Sequence, residues 1–114
     1  MTLEKQTYTP DDFIVGGQLQ TARAYIKAGQ EFPRLTPLMR DATDTHLLVK
    51  WDGTQGKAIA LSARPASSPS SNELSAIYVG ACFRINHVNW PASADSDEKR
   101  RAAFIGTSVS VDDE

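Results

Sequence analysis

The side chains in this sequence best suited to bind a metal ion are those of His46, Cys82 and His87. His46 lies far from the other two along the chain, and no CxxC or HExxH spacing occurs. Cys82 and His87 are an odd number of residues apart, so in a strand they face opposite sides. We therefore expect no metal site and no cofactor, with the histidines exposed and the cysteine packed.

Hydrolytic chemistry has no better support. No serine lies in a GxSxG turn, and no glycine pattern matches a phosphate-binding loop. Asp41, Asp44 and Asp52 lie beside turn-forming residues, where aspartate is favoured for local backbone hydrogen bonds. The sequence therefore predicts that the protein is not an enzyme. A small hydrolase stays open as an alternative, with the two histidines as its only candidate bases.

Binding surfaces are the next class to consider. The formal net charge of −2 gives no general attraction to nucleic acid or an anionic membrane. The basic residues 99–101 follow three acidic ones, which is typical of an exposed helix face. Trp51 and Trp90 follow apolar segments, so we expect them in the core. A ligand- or nucleic-acid-binding β-barrel remains an alternative, which filter binding to DNA at low salt would test.

Strand patterns dominate the 114 residues, a length that suits one domain. The dipeptide Asp52-Gly53 predicts a hairpin between two of these strands. Pro33 and Pro37 make residues 32–39 an extended edge or irregular segment, and residues 64–72 should be an exposed loop. Apolar alternation and β-branched content predict strands at residues 21–28, 46–51, 57–61, 74–79, 82–86 and 106–111.

One helix is predicted at residues 95–104. Asp95 is the expected N-cap, and Glu98 three residues later would complete a capping box. Gly106 follows the predicted end of the helix, where a left-handed residue is often needed. The predicted fold class is therefore α+β, mainly β, with one short C-terminal helix in a single compact domain.

Four short motifs follow one another over residues 35–111. They are a Thr-Pro-Leu-Met run with a nearby aspartate, a Trp-Asp-Gly turn, a Trp-Pro pair, and a Phe-x-Gly segment after the predicted helix. Their residues are Thr36, Pro37, Leu38, Met39, Asp41, Trp51, Asp52, Gly53, Trp90, Pro91, Phe104 and Gly106. In order and spacing they resemble the lambda-type phage head decoration protein family. The resemblance is weaker at residues 57–72 and in the N-terminal third.

The resemblance implies a β-tulip fold and a structural role in the virion. It implies binding to the major capsid protein on the outer surface of the expanded icosahedral head. The bound form would be a homotrimer at three-fold and quasi-three-fold positions, which stabilises the head against the pressure of packaged DNA. The sequence shows no secretory signal and no apolar run of 18 residues, so we expect synthesis in the host cytoplasm and no membrane association.

The start of the chain is polar and has no periodic apolar face. We therefore expect residues 1–17 to form a flexible capsid-binding arm and residues 18–114 to form the decoration-protein domain. Such an arm suits strand addition to an exposed sheet edge, where its main chain supplies hydrogen bonds. The candidate contact residues of the arm are Tyr8, Thr9, Pro10, Phe13 and Ile14.

Overall fold

The computed structural model describes residues 13–113. Eight strands and one α-helix lie within this part of the chain. The helix, α1, spans Asp97–Ala102. The strands are β1 (Ile14–Ile26), β2 (Glu31–Phe32), β3 (Pro37–Arg40), β4 (Leu48–Lys50), β5 (Ala60–Ser62), β6 (Ala66–Ser67), β7 (Glu73–Arg84) and β8 (Val109–Asp112). This content confirms the predicted mainly β fold class with one short helix.

Pairing between the first and seventh strands closes the main sheet into a ring. The strand order is β1-β4-β3-β5-β7-β8, and β1 also pairs with β7. β7 is long enough to pair with β1 on one side and with both β5 and β8 on the other. β8 therefore lies outside the ring, and β2 and β6 form a separate two-stranded sheet.

A bulge interrupts the pairing of β1 with β7. The register shifts between Gly16 and Gln20, so that three residues of β1 lie opposite Ala81 alone. The backbone there is left-handed: φ is 80° at Gly17 and 135° at Ala81. Glycine adopts such angles without steric cost, whereas alanine does not. The bulge lets both strands continue beyond the irregularity.

β7 corrects one prediction, because the two strands expected at residues 74–79 and 82–86 are a single strand. Gly80 does not end it: this residue pairs with Gln20 of β1. A Cβ at residue 80 would collide with the side chain of Gln20, so the glycine serves close strand approach rather than a turn.

The hairpin predicted at Asp52-Gly53 is wrong. β4 pairs with β3 and β1, whereas β5 pairs with β3 and β7. β3 therefore lies between the two strands that the hairpin would have joined. The chain does turn at Gly53, where φ is 94°. After Gly53 the chain crosses β3, so that β5 pairs with the opposite side of β3 from β4.

The position of β3 also corrects the prediction for residues 32–39. Its neighbours are β4 and β5, so β3 is an interior strand rather than an edge. Pro37 is tolerated because it is the first residue of the strand, and its carbonyl accepts a hydrogen bond from the N–H of Trp51. The loop predicted at residues 64–72 contains β6, in which Ala66 pairs with Phe32 of β2.

The helix α1 begins two residues later than predicted, and its N-cap is Ser96 rather than Asp95. The Ser96 hydroxyl accepts a hydrogen bond from the N–H of Lys99 at 3.2 Å. Asp95 instead accepts one from the Lys99 ammonium group at 3.1 Å. Gly106, with a φ of 98°, belongs to the turn after the helix.

Two apolar clusters lie on opposite faces of the sheet. Ile77 and Tyr78 are consecutive in β7 and belong to different clusters, as alternating strand side chains must. The larger cluster contains the fully buried rings of Trp51, Phe83 and Phe104. Because both faces are covered, several strands carry consecutive buried residues instead of a simple alternation.

Candidate functional site

Three aromatic residues of the motifs form one contact group. The rings of Trp51 and Trp90 meet edge to face with centroids 6.3 Å apart, and Trp90 lies 6.2 Å from Phe104. The indole N–H of Trp51 donates to the carbonyl of Thr54, and that of Trp90 donates to the carbonyl of Ile85. The protein's own backbone thus satisfies both indole groups, as expected of core tryptophans rather than a ligand platform.

The Trp-Asp-Gly turn packs against the segment that follows the Trp-Pro pair. The Asp52 carboxylate accepts a hydrogen bond from the N–H of Thr54 at 2.9 Å, and this bond lowers the pKa of Asp52. The hydroxyl of Ser93 donates to the carbonyl of Asp52 at 2.8 Å and fills the space beside Gly53. Pro91 begins the turn that presents Ser93. The two motifs therefore form one structural unit.

Arg100 joins α1 to the same unit. Its guanidinium lies 5.8 Å from the ring centroid of Trp90, and its Nε donates to the carbonyl of Ala94 at 2.8 Å. The predicted exposed basic face is therefore only partly exposed. The sequence did not predict this contact, because no local pattern links the two partners.

Arg101 ties the helix to β8. Its guanidinium donates to Asp97 at 2.7 Å and to Asp112 at 3.0 Å, and it also lies 3.4 Å from a carboxylate oxygen of Asp113. These bonds raise the pKa of Arg101 and lower that of Asp112. Lys99 pairs with Asp95. The basic run at residues 99–101 thus makes contacts within the protein.

The Thr-Pro-Leu-Met motif surrounds a buried polar junction. The Thr36 hydroxyl donates to the carbonyl of Pro33 at 2.7 Å, and the Ser62 hydroxyl donates to the same carbonyl at 3.1 Å. The N–H of Thr36 donates to the Ser62 oxygen at 3.0 Å. Both side chains are almost fully buried, which requires such partners. Leu38 is fully buried, and Met39 packs against the larger apolar cluster.

Asp41 organises the loop between β3 and β4. Its carboxylate accepts hydrogen bonds from the N–H groups of Asp44 and Thr43, at 2.9 and 3.2 Å. The Lys27 ammonium donates to the other carboxylate oxygen at 3.2 Å. These bonds, that of Asp44 above all, lower the pKa of Asp41. The aspartate therefore has the local backbone role expected of a turn residue.

Phe13 is a core residue rather than part of an arm. Its ring stacks on Phe83 with centroids 6.0 Å apart and lies 5.6 Å from that of Tyr78. The guanidinium of Arg34 covers it at 4.7 Å and also donates to the Tyr78 hydroxyl at 2.9 Å. The carbonyl of Phe13 accepts a hydrogen bond from the N–H of Arg84. Arg34 was not identified from the sequence, because its partners are distant along the chain.

The predicted arm boundary at residue 17 therefore needs correction. Residues 14–17 belong to β1, and Ile14 is half-buried against the larger cluster. Phe13 is buried in the larger cluster and so belongs to the domain. Tyr8, Thr9 and Pro10, the other candidate contact residues, lie outside the described residues.

The titratable residues considered for chemistry are not brought together. Within residues 13–113, no three His, Cys, Asp or Glu side chains are grouped so that they could hold a metal ion. His46 and His87 are exposed, as predicted, and Cys82 is a half-buried free cysteine. The same stretch contains no helix of the length and apolar character needed to cross a membrane.

Comparison with known proteins agrees with this structural picture. Residues 2–110, which include every motif residue, match the family described as bacteriophage lambda head decoration protein D. The chain is 39% identical over 79 residues to a protein of Escherichia phage N15 named as a decoration protein, covering 69% of this chain and 70% of that protein. It is 34% identical over 79 residues to the head decoration protein of Enterobacteria phage P21, covering 68% of this chain and 65% of that protein. The resemblance found in the motifs is confirmed, and the chain belongs to the family of bacteriophage lambda head decoration protein D, structural proteins of the phage head.

Proposed function

We propose that this protein binds the major capsid protein on the outer surface of the expanded head of its phage. It acts as a trimer at three-fold and quasi-three-fold positions and stabilises the head against the pressure of packaged DNA. The observation that carries the proposal is the family match over residues 2–110. The packing of the motif residues supports a structural role rather than a chemical one, since their polar groups bond to one another and to the backbone.

Residues 1–12 are proposed to provide part of the capsid contact by strand addition, with Tyr8, Thr9 and Pro10 as contact residues. The position of Phe13 supports a capsid contact by the residues before it. Phe13 is held by ring contacts and by a backbone hydrogen bond. A capsid contact made by the residues just before it would therefore be anchored to the core. Each contact can be weak, because many copies act on one shell.

Cosedimentation with expanded, undecorated heads of the same phage tests the proposal. We expect saturation at about three copies per three-fold position, as a closed trimer requires. Unexpanded shells are the matched control and should bind little protein. Absence of binding to both kinds of shell would refute the proposal and favour the ligand-binding β-barrel.

The arm is tested separately with a chain that lacks residues 1–12 and retains Phe13. We expect this chain to unfold at the same urea concentration as the full chain and to bind expanded heads more weakly. Tyr8→Ala in the full chain should weaken binding in the same direction. Unchanged affinity of the truncated chain would exclude a role of these residues in capsid contact.

Stabilisation is measured on DNA-filled heads with and without the protein. We expect decorated heads to release DNA at a higher temperature than undecorated ones, because contacts made only with the intact shell shift its equilibrium toward that state. Release at the same temperature, with the copy number at saturation, would show that the protein decorates the head without stabilising it.

A further inference from the structure

An open groove of about 700 Å³ lies beside the first half of β7, away from the motif residues. One side is formed by residues 73–76 of that strand, and the other contains Pro65 and Pro69 of the loop that follows β5. Two arginines, Arg23 and Arg64, also line it. None of the packing and hydrogen bonds described above accounts for this surface.

The two arginines approach β7 from its two sides. Arg23 of β1 is in register with Ala76. On the other side, the N–H of Ala63 donates to the carbonyl of Ala76 at 3.1 Å, and Arg64 is the next residue. Both side chains are exposed and line the groove, so two positive charges face it.

These arginines differ from the other cations described above. Within residues 13–113, neither Arg23 nor Arg64 has a hydrogen-bonding or ionic partner. Lys27, Arg40 and Arg101, by contrast, each donate to an oxygen of the protein. A pair of unpartnered guanidinium groups is suited to carboxylates, to which arginine donates in a bidentate manner.

Apolar side chains continue the surface beyond Arg23. Tyr25 pairs with Leu74 across β1 and β7, two residues from the pair of Arg23 with Ala76, so all four lie on one face. Tyr25 is 51% exposed and Leu74 is 38% exposed. Both side chains can therefore contact a peptide bound beside Arg23.

The groove also contains an unpaired strand edge. The carbonyl of Ala76 points away from β1, toward Ala63, and the main-chain groups of Leu74 two residues earlier point the same way. β5 pairs with β7 only at Ile77 and Tyr78. No strand within residues 13–113 pairs with β7 beside Leu74 on this edge, so an added peptide would find free main-chain groups there.

We infer that the groove between Arg23 and Arg64, the Arg23–Arg64 groove, binds an extended acidic segment of the major capsid protein. This inference rests on the proposed function. A carboxylate of the segment is held by the two arginines, and its main chain pairs with the edge at Leu74. Glu73 lies at the opposite end and repels a carboxylate there, so the acidic residue of the partner lies at the Ala76 end.

The charge distribution favours this partner over a DNA strand. A DNA strand would carry phosphate past Glu73 as well as past the arginines, and the net charge of the chain is −2. A second copy of this chain is the other candidate occupant, because the exposed carboxylates of Asp44 and Glu98 have no cationic partner within residues 13–113, and the crosslinking experiment below distinguishes the two.

The test compares two double variants in cosedimentation with expanded heads. Arg23→Gln/Arg64→Gln removes both charges of the groove. Arg40→Gln/Lys57→Gln is the control, with the same charge change at a separate groove lined by Arg40 and Lys57. We expect the first variant to bind roughly tenfold more weakly and with less dependence on salt, while the control binds like the wild type. Urea denaturation of each variant verifies that it is folded.

A photo-crosslinking residue in place of Leu74 then identifies the partner. On expanded heads we expect a crosslink to a capsid peptide that contains Asp or Glu. Wild-type affinity of Arg23→Gln/Arg64→Gln would overturn the inference while leaving the proposed function intact. A crosslink only to a second copy would overturn it in favour of that partner. If Arg23→Gln/Arg64→Gln weakened only the binding of DNA, measured by filter binding at low salt, DNA would be the partner instead. Failure of the wild type to bind heads would remove both proposals.

Discussion

The hydroxyl of Ser93 donates to the carbonyl of Asp52 at 2.8 Å, although the two residues are 41 positions apart. The contact is possible because Gly53 leaves its side-chain position empty. It joins the Trp-Asp-Gly turn to the segment after the Trp-Pro pair. Two motifs that are separate in the sequence thus depend on each other for their stability.

Gly53→Ala should lower the free energy of unfolding by about 1–3 kcal/mol, because a φ of 94° is strained for alanine and its Cβ would collide with Ser93. Urea denaturation measures the loss. Gly56→Ala is the control: its φ is 84°, but nothing lies within 4 Å of the new Cβ, so a smaller loss is expected. Adding Ser93→Gly to Gly53→Ala should recover part of the stability. Equal losses at residues 53 and 56 would argue against the Ser93 contact.

Trp51→Ala should destabilise the domain by about 3–5 kcal/mol, the usual range for removing a large buried aromatic side chain. Trp51 is 1% exposed and supports the ring of Trp90. Ile105→Ala is the matched control: this side chain is 76% exposed, so its removal should change stability by less than about 0.5 kcal/mol. Chemical denaturation of both variants decides the matter. Similar losses would contradict the aromatic core described above.

Phe13→Ala distinguishes a core residue from an arm residue. We expect a loss of about 3–5 kcal/mol, since Phe13 packs on Phe83 and Tyr78 beneath Arg34. Thermal and urea unfolding of the free protein provide the measurement, without any shell present. Normal stability combined with weaker head binding would instead restore Phe13 to the capsid-binding arm.

Ser96→Ala should cost about 1 kcal/mol, as expected for loss of a helix N-cap. Asp95→Ala should cost less, because the pair of Asp95 with Lys99 is exposed to solvent and contributes little to stability. The urea midpoints of the two variants can be compared directly. A larger effect at residue 95 would support the N-cap predicted from the sequence.

Stability should fall in acid. Hydrogen bonds from the N–H of Asp44 and from the Arg101 guanidinium lower the pKa values of Asp41 and Asp112, respectively. The folded state therefore binds fewer protons than the unfolded state. The stabilisation is fully present above the unfolded pKa of about 4 and is lost as the pH falls through the lowered values.

The corresponding experiment follows the urea midpoint from pH 7 to pH 2. We expect Asp112→Asn to be less stable than the wild type at pH 7 and to decline less steeply below about pH 4. Arg101→Gln removes the main partner of Asp112, so Asp112→Asn should add little in that background. A decline of the wild type centred near neutral pH would contradict this account.

Local signals allowed much of the fold to be predicted. The charge order of residues 95–104 indicates a helix near its observed position, and the resemblance of the motifs identifies the family. The N-cap is displaced by one residue because Asp95 and Ser96 are both good capping residues. The choice between them depends on which side chain reaches the N–H of Lys99, and that geometry is not visible in the sequence.

Strand pairing could not be predicted in the same way. Asp52-Gly53 is a strong hairpin signal, but its glycine is required by Ser93 rather than by a two-residue hairpin. Phe13 follows a polar segment, and only its contacts with distant rings reveal it as core. Arg23 and Arg64 are unremarkable in the sequence, because it is the register of β1 with β7 that brings them together.

The pairing of β1 with β7 has a consequence for how the chain folds. Partners in this pair are between about 50 and 70 residues apart, and such non-local contacts are typical of domains that fold in milliseconds to seconds. At roughly 5–20 residues per second, the ribosome needs several seconds to make the chain between them. Throughout that time β1 has no antiparallel partner, and Ile14 and Leu19, which pack against the larger cluster in the folded protein, remain uncovered. The nascent chain is therefore most prone to aggregation before β7 emerges, and the rate of synthesis sets how long that interval lasts.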